Sequence, residues 1–253
     1  NTKLNYFLLN LIEFYNLKNI FKNNKIDIIY HAAAYKHVNI VESEINNSYA
    51  IKNNVLSTHN LVELSLNYNI NNFILISSDK AVNPSNIMGL TKRISEIIVQ
   101  NKSLDLKCEF KIVRFGNVIA SSGSVVNTFI DQFQKGGPVT LTHKEVERYF
   151  MTINEAAGLV LQTIKHAENG NILFLDMGKP VKIYNIVKRI AEAMNKKIKI
   201  TNQDKEYSEN KNINEIDIII TGLKKGEKMI EELTDTNKDK TLIYPTSNQK
   251  ILF

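Results

Sequence analysis

At 253 residues with 43% hydrophobic and 23% charged content, the chain has enough apolar material for a sizeable core, in one large α/β domain or two small lobes. Its net charge of +6 comes from scattered lysines with no basic stripe interleaved with aromatics, which argues against a nucleic-acid binder and for a solvated basic surface. The single cysteine, Cys108, excludes an internal disulfide and fits a reducing compartment, and no apolar run approaches the ~18 residues of a membrane-spanning helix.

The chain opens on Asn1, in mid-pattern and with no signal peptide, and reads as a fragment. Ile26 to Tyr30 predicts a buried strand ending in the small-residue run Ala32, Ala33, Ala34. Val55, Leu61, Val62 and Leu66 have helical spacing. Phe73 to Ile76 predicts a second strand, ending at Ser77, Ser78, Asp79 and Lys80. Leu90, Ile94, Ile97 and Ile98 mark the expected buried face of the next helix, and Phe110 to Phe115 a third strand. Ser121 to Phe150 is less regular and rich in Gly, Ser and Thr. Glu155 to Ala167 reads as helix, Ile172 to Leu175 as strand, Lys182 to Met194 as amphipathic helix and Ile216 to Ile220 as strand.

Strand and helix in alternation imply a doubly wound parallel sheet, a Rossmann-like α/β fold, with a smaller lobe beside it. The expected division gives 1–120 and 150–177 to the sheet domain, and 121–149 and 178–253 to the smaller lobe. Ligands of such sheets bind at the carboxyl ends of the strands. Three polar clusters fall there, His31 to His37, Ser77 to Lys80 and Arg114 to Asn117, and predict one shared cleft. Ser78, Asp79 and Lys80 together offer a hydrogen bond, an acid and a base. Lys92 lies four residues after Met88 on the following helix, so the two side chains share a face. His59, His143 and His166 have no metal-ligand spacing, and no metal site is expected.

Eight runs occur in order along nearly the whole chain. They are His31 to Val38, Ser77 to Pro84, Met88 to Arg93, Val113 to Val118, Ser121 to Val126, Gly136 to Thr140, Arg148 to Thr152 and Gly222 to Lys228. Together they resemble the polysaccharide-biosynthesis (CapD-like) family of UDP-N-acetylglucosamine 4,6-dehydratases, extended short-chain dehydrogenases that use NAD(P).

The resemblance implies C4 oxidation, loss of water across C5 and C6, and return of the hydride to C6. It implies Ser78 near the sugar O4, Asp79 as acid for the C6 hydroxyl, Lys80 as base at C5 if burial or nearby cations lower its pKa, and Lys92 on the nicotinamide ribose. Ala32, Ala33 and Ala34 would let the backbone approach the cofactor, with Asn54 close by and Asn10 facing the adenine. Lys36 and Asn117 would face the sugar. Ser124, Val125, Thr140, Arg148, Lys224 and Glu227 would line the UDP pocket, with the cations on the diphosphate and Glu227 on the ribose. A cytoplasmic homo-oligomer follows as an expectation, without membrane contact by this segment, whether or not the parent protein is membrane-anchored.

Departures from the pattern matter too. Met88 stands where most short-chain dehydrogenases have Tyr, and a thioether cannot take the C4 hydroxyl proton; a branch of the resembled family shares this Met. Lys224 and Lys225 stand where Arg-Pro is usual, and a lysine binds phosphate without the bidentate fork. No Gly-x-Gly-x-x-Gly turn occurs, so the first βαβ unit that carries it is expected to precede Asn1. Two other readings stay open. One is a nucleotide-sugar 4-epimerase on the same fold; the other is a non-catalytic nucleotide-sugar binder.

Overall fold

The computed structural model describes residues 3–119, 121, 123–201, 214–234 and 243–253; position 122, inside one of the eight runs, lies outside them. Helix α1 (Phe14–Asn23) precedes β1 (Ile28–His31), and two short helices follow, α2 (Val38–Val41) and α3 (Glu44–Ile51). A π-helical segment, Lys52–Leu56, then leads into α4 (Ser57–Asn67). Next come β2 (Asn72–Ile76), a 3-10 turn (Asp79–Ala81), α5 (Ile87–Lys102), β3 (Glu109–Arg114) and β4 (Asn117–Val118). The middle of the chain forms α6 (Val125–Gln134), β5 (Val139–Leu141), β6 (Glu147–Arg148), β7 (Phe150–Met151), α7 (Ile153–His166) and β8 (Ile172–Leu175). It ends with β9 (Val181–Lys182), α8 (Ile183–Ala193), β10 (Lys197–Thr201), β11 (Glu215–Ile220) and β12 (Ile251–Leu252).

Among the described residues the larger sheet has the order β1-β2-β3-β8-β12. Its first four strands are parallel, and β12 closes one edge antiparallel to β8. That last pairing corrects the expected division, because residues 251 and 252 belong to the larger sheet and not to the smaller lobe. The two-residue side-chain period of a strand sorts the core. Phe73, Leu75, Phe110 and Ile112 face α1, α4 and α5, where Leu17, Phe21, Leu61, Leu64 and Val99 meet them. Ile74 and Val113, offset by one, face α7 through Ala156, Leu159 and Val160. Helices on both faces confirm the Rossmann-like class. Cys108 is buried in the first of these cores, and burial, reinforced by Glu109, pushes its thiol up to about 12.

Lys111 breaks the apolar pattern. It is 1% exposed, and its ammonium donates to Ile164 O at 2.6 Å in the last turn of α7 and pairs with Glu109 at 2.9 Å. A cation there also complements the carboxyl end of the helix dipole.

The smaller lobe has its own parallel sheet, ordered β10-β11-β5. Helix α8 buries Ile183, Val187 and Ala191 at four-residue spacing against Ile216 and Ile218 of β11, Val139 and Leu141 of β5, and Phe129 and Phe133 of α6. Each such large side chain contributes ~1.5–3 kcal/mol by leaving water.

Helix α5 departs from the sequence expectation. Leu90 and Ile97 are 43% and 42% exposed, while Thr91, Lys92, Ser95 and Glu96 are buried with Val99. The polar stripe faces inward because every member finds partners. Thr91 Oγ1 accepts from Asn54, Ser95 Oγ donates to Asn54 O and Thr91 O, and Lys92 donates to Ile76 O. Glu96 takes two bonds from Arg114, at 2.7 and 2.6 Å, one from Arg93 at 3.0 Å and one from Ser77 at 2.6 Å. Buried polar groups are tolerated when satisfied in this way.

Candidate active site

The cleft forms where the three strand-end clusters meet the smaller lobe. One cavity of about 370 Å³ is lined by Ala32, Ala34, Lys36, Ser78, Lys80, Met88, Lys92, Gly116, Asn117, Ser124 and Val125. A second, of about 590 Å³, is lined by Lys80, Asn117, Val125, Thr140, Arg148, Lys224, Glu227 and Glu231. Lys80, Asn117 and Val125 border both, so the two cavities form one continuous channel. Asn10 and Ala33 line a third hollow with Tyr35, Asn53 and Ser57. All eight residues expected at the nucleotide sugar therefore border one space, although they come from separate segments of both lobes.

Local sequence explains the placement. Asn86 caps α5 by accepting from Gly89 N at 2.8 Å. The cap sets Met88 and Lys92 on the first turns of α5, facing the end of β2. Gly89 is required there, because a Cβ at that position would lie 2.2 Å from Lys80 O. Asn86 Nδ2 and Ser85 Oγ both donate to Gly226 O, at 3.0 and 2.7 Å, and Lys228 donates to Val82 O. These bonds dock the Gly222 to Lys228 turn of the smaller lobe beside the strand end that carries Lys80.

Met88 is 3% exposed and packs on Val41 and Ala50. Lys92 is 8% exposed, and its ammonium donates to Ile76 O at 2.7 Å. Burial pulls its pKa down to about 8 against the opposing pull of Glu96. His31 Nε2 lies 3.0 Å from Thr58 Oγ1, and burial with the Lys92 charge lowers it to about 4, so it is neutral at pH 7.

Asp79, Lys80, Met88 and Lys92 were expected to converge on one cleft. Three of them line it. Asp79 sits beneath the floor, 0% exposed. Its Oδ1 accepts from Ser78 Oγ at 2.8 Å and from Lys80 Nζ at 2.9 Å. Among the described residues its Oδ2 has no hydrogen-bond partner, and it lies 3.1 Å from where a Cβ on Gly116 would stand. Gly116, which lines the channel without a side chain, thus lies next to this buried carboxylate oxygen. Around the Lys80 ammonium are Asp79, the Asn117 side-chain oxygen at 3.5 Å and Glu231 at 3.7 Å, so these neighbours are carboxylates and an amide and not the nearby cations that were one of the two conditions, with burial, set from sequence.

Asn54 lies outside the cavity linings. Its amide accepts from Tyr35 N at 2.7 Å and donates to Tyr35 O at 3.1 Å and Thr91 Oγ1 at 2.9 Å. It pins the Ala32 to Lys36 loop to α5 from within the π-helical segment, a geometry often found at functional sites. Asn10 Oδ1 accepts from Ile12 N at 3.2 Å, which shapes its own turn.

At the other end, Arg148 donates to Glu147 O and Met229 O and pairs with Glu227 at 3.1 Å and Glu231 at 4.0 Å. Glu231 was not anticipated. In sequence it lies just past the Gly222 to Lys228 run, beside Glu232, and nothing local marks it out. In the fold it is 4% exposed. Burial raises its carboxyl above the usual range, Asp79 adds to the rise, and Lys80, Arg148 and Lys228 oppose it.

The family described as polysaccharide biosynthesis protein matches residues 1–250. The chain is 46% identical over 211 residues to the capsular polysaccharide biosynthesis protein CapD of Staphylococcus aureus, covering 83% of this chain and 32% of that protein. It is 43% identical over 219 residues to the probable polysaccharide biosynthesis protein EpsC of Bacillus subtilis, covering 87% of this chain and 34% of that one. The chain thus spans about a third of the length of these relatives. Among solved structures, Pen from Bacillus thuringiensis superposes with a TM-score of 0.81 at 26% identity, covering 98% of this chain and 72% of that one.

Proposed function

Because the chain belongs to the polysaccharide biosynthesis protein family, we propose that it forms the catalytic part of a nucleotide-sugar 4,6-dehydratase that acts on UDP-N-acetylglucosamine with NAD(P). The observation that carries this reading is Lys80 at the junction of the two cavities, with Ser78 beside it in the smaller one and Asp79 buried directly beneath, its Oδ1 accepting from both. An acid and an amine 2.9 Å apart suit an elimination, in which one proton is removed and another delivered.

The residues at the smaller cavity fit a nicotinamide nucleotide. Ala32 and Ala34 present no side chain beyond Cβ. Among the described residues Lys92 uses one of its three ammonium donors, on Ile76 O, which leaves two for ribose hydroxyls. Bound there, the nicotinamide would supply reversible oxidation at C4 of the sugar.

The chain's own groups then account for the loss of water. Ser78 hydrogen-bonds at O4. Lys80, as free amine, takes the C5 proton, and Asp79, as acid, gives its proton to the C6 hydroxyl, which departs as water. The C5–H and C6–O bonds break and the C5–C6 double bond forms. Lys80 is left charged and Asp79 ionised; the Lys80 proton, exchanged with solvent, returns to C5 when C6 is reduced, and Asp79 draws its proton from the C4 hydroxyl through Ser78, whose Oγ lies 2.8 Å from Asp79 Oδ1. Arg148 and Lys224 meet the diphosphate, and Lys36 and Asn117 the sugar.

The test uses the complete protein with its cofactor and UDP-N-acetylglucosamine in deuterated water. A 4-keto-6-deoxy product with deuterium at C5 is expected. Lys80→Met should slow deuterium entry by about 10²–10⁴. An unchanged rate would remove Lys80 as the base, and a C4 epimer as the sole product would replace this reading with an epimerase.

A further inference from the structure

Two cations with different tasks share one buried carboxylate. Glu231 Oε1 lies 3.7 Å from Lys80 Nζ and 4.0 Å from Arg148 Nε, and all three groups border the same cavity. Lys80 sits at the chemistry end of the channel, whereas Arg148 sits deeper in the smaller lobe among Glu227, Glu231 and two backbone carbonyls. The charged groups that face Glu231 are Lys80 and Asp79 from the turn after β2, Arg148 from β6, and Lys228 from its own segment. Lys228 is also held by Val82 O and Glu232, which leaves Lys80 and Arg148 as the shared pair.

We propose that Glu231 is a positioning residue that reports occupancy of the diphosphate subsite to Lys80, by taking up a proton when a nucleotide diphosphate draws Arg148 away. This rests on the reading above, in which Arg148 meets the diphosphate.

The argument is electrostatic. A diphosphate brought to Arg148 competes with Glu231 for the guanidinium and adds negative charge nearby. Both effects favour the neutral form of a carboxyl whose burial already opposes its ionisation. The proton comes from solvent to a Glu231 carboxylate oxygen, and it returns to solvent when product leaves. Once neutral, Glu231 no longer pairs with the Lys80 ammonium, which leaves Asp79, 2.9 Å away, as the carboxylate that holds it. With the subsite empty, the Glu231 charge holds Lys80 from the side of the smaller lobe as well.

Calorimetry of UDP-xylose binding in buffers of different ionisation enthalpy counts the protons. The probe's diphosphate diester does not titrate near neutral pH, and its sugar has no C6 to eliminate from. The complete wild-type protein should take up between about a third of a proton and one proton per site near pH 7, the size of a carboxyl titration. Glu231→Gln should bind with no uptake, and Glu231→Asp, which keeps the charge, should retain it. Uptake by Glu231→Gln equal to wild type overturns the proposal. So does binding by wild type without uptake, which decides the matter even if Glu231→Gln does not fold. Failure of wild type to bind UDP-xylose or UDP-N-acetylglucosamine at all would instead bring down the functional reading itself.

Discussion

Lys92→Met offers a quantitative check on the buried cleft. The side chain is 8% exposed, and burial lowers its pKa from 10.5 to about 8. Below about pH 8 the lysine is charged in both folded and unfolded states, and the folded state carries the whole cost of holding that charge out of water. At ~1.36 kcal/mol for each pH unit, that cost is about 3 kcal/mol. Above pH 10.5 the group is neutral in both states and the cost is gone. Between the two values the unfolded chain binds a proton that the folded chain has released, so wild-type stability rises with pH. Methionine has no such slope. The lost bond to Ile76 O shifts the variant's stability by an amount independent of pH, so only the difference between the proteins is informative. From urea denaturation at about pH 7.5 and about pH 10, wild type should gain about 2 kcal/mol relative to Lys92→Met. A difference that stays flat across this window would refute the reasoning, because it would mean that the ammonium is not desolvated in the folded protein.

Glu96→Ala should cost about 3–5 kcal/mol, because it strips a fully buried carboxylate from Arg114 and leaves that guanidinium unpaired beside Ser77; a shift in the urea midpoint worth under about 1 kcal/mol would show the network to be dispensable. Gly89→Ala should cost about 1–3 kcal/mol, since the new Cβ would meet Lys80 O at 2.2 Å. Because the contact is with the backbone of Lys80, turnover should fall further than after an alanine substitution at exposed Leu161, and equal activity of the two would show that α5 can yield without moving Lys80.

The four parallel strands of the larger sheet, and β11, were legible in the sequence because buried parallel strands are short apolar runs, as Phe73 to Ile76 and Ile172 to Leu175 are; the shorter strands and the edge strands β10 and β12 were not. The strand-end clusters were legible as a cleft because the parallel fold fixes where such ends lie. The orientation of α5 was not. Apolar spacing points to Leu90, Ile94, Ile97 and Ile98, whereas the buried face is made by Thr91, Lys92, Ser95 and Glu96. Only the position of Asn54, Ile76 and Arg114 tells that those polar groups are satisfied, and that is information from other segments. Glu231 escaped for the same reason. Its importance comes from two lobes meeting at Lys80, and no local pattern encodes that meeting. Asp79 was found as a residue, but its place under Gly116 depends on the closeness of β2 and β3.

The strand order of the smaller sheet has a consequence for how the chain is made. Central strand β11 pairs on one side with β10 and on the other with β5, yet Leu141 leaves the ribosome 74 residues before Glu215. At ~5–20 residues per second, β5 and the apolar face of α6 wait roughly 4–15 s for the partner that completes their core. β1 and β2 meet no such delay, because each pairs with the next strand in the chain, whereas β3 waits for β8 on its second side. The half of the channel with Lys80 and Lys92 therefore starts to form on the first three strands, while the half with Thr140 and Arg148 waits for β11, and β8 and β12 complete the larger sheet later in the chain. In that interval Phe129, Phe133, Val139 and Leu141 lack Ile216 and Ile218, the β11 side chains that share their core, and that exposed apolar surface invites chaperone binding.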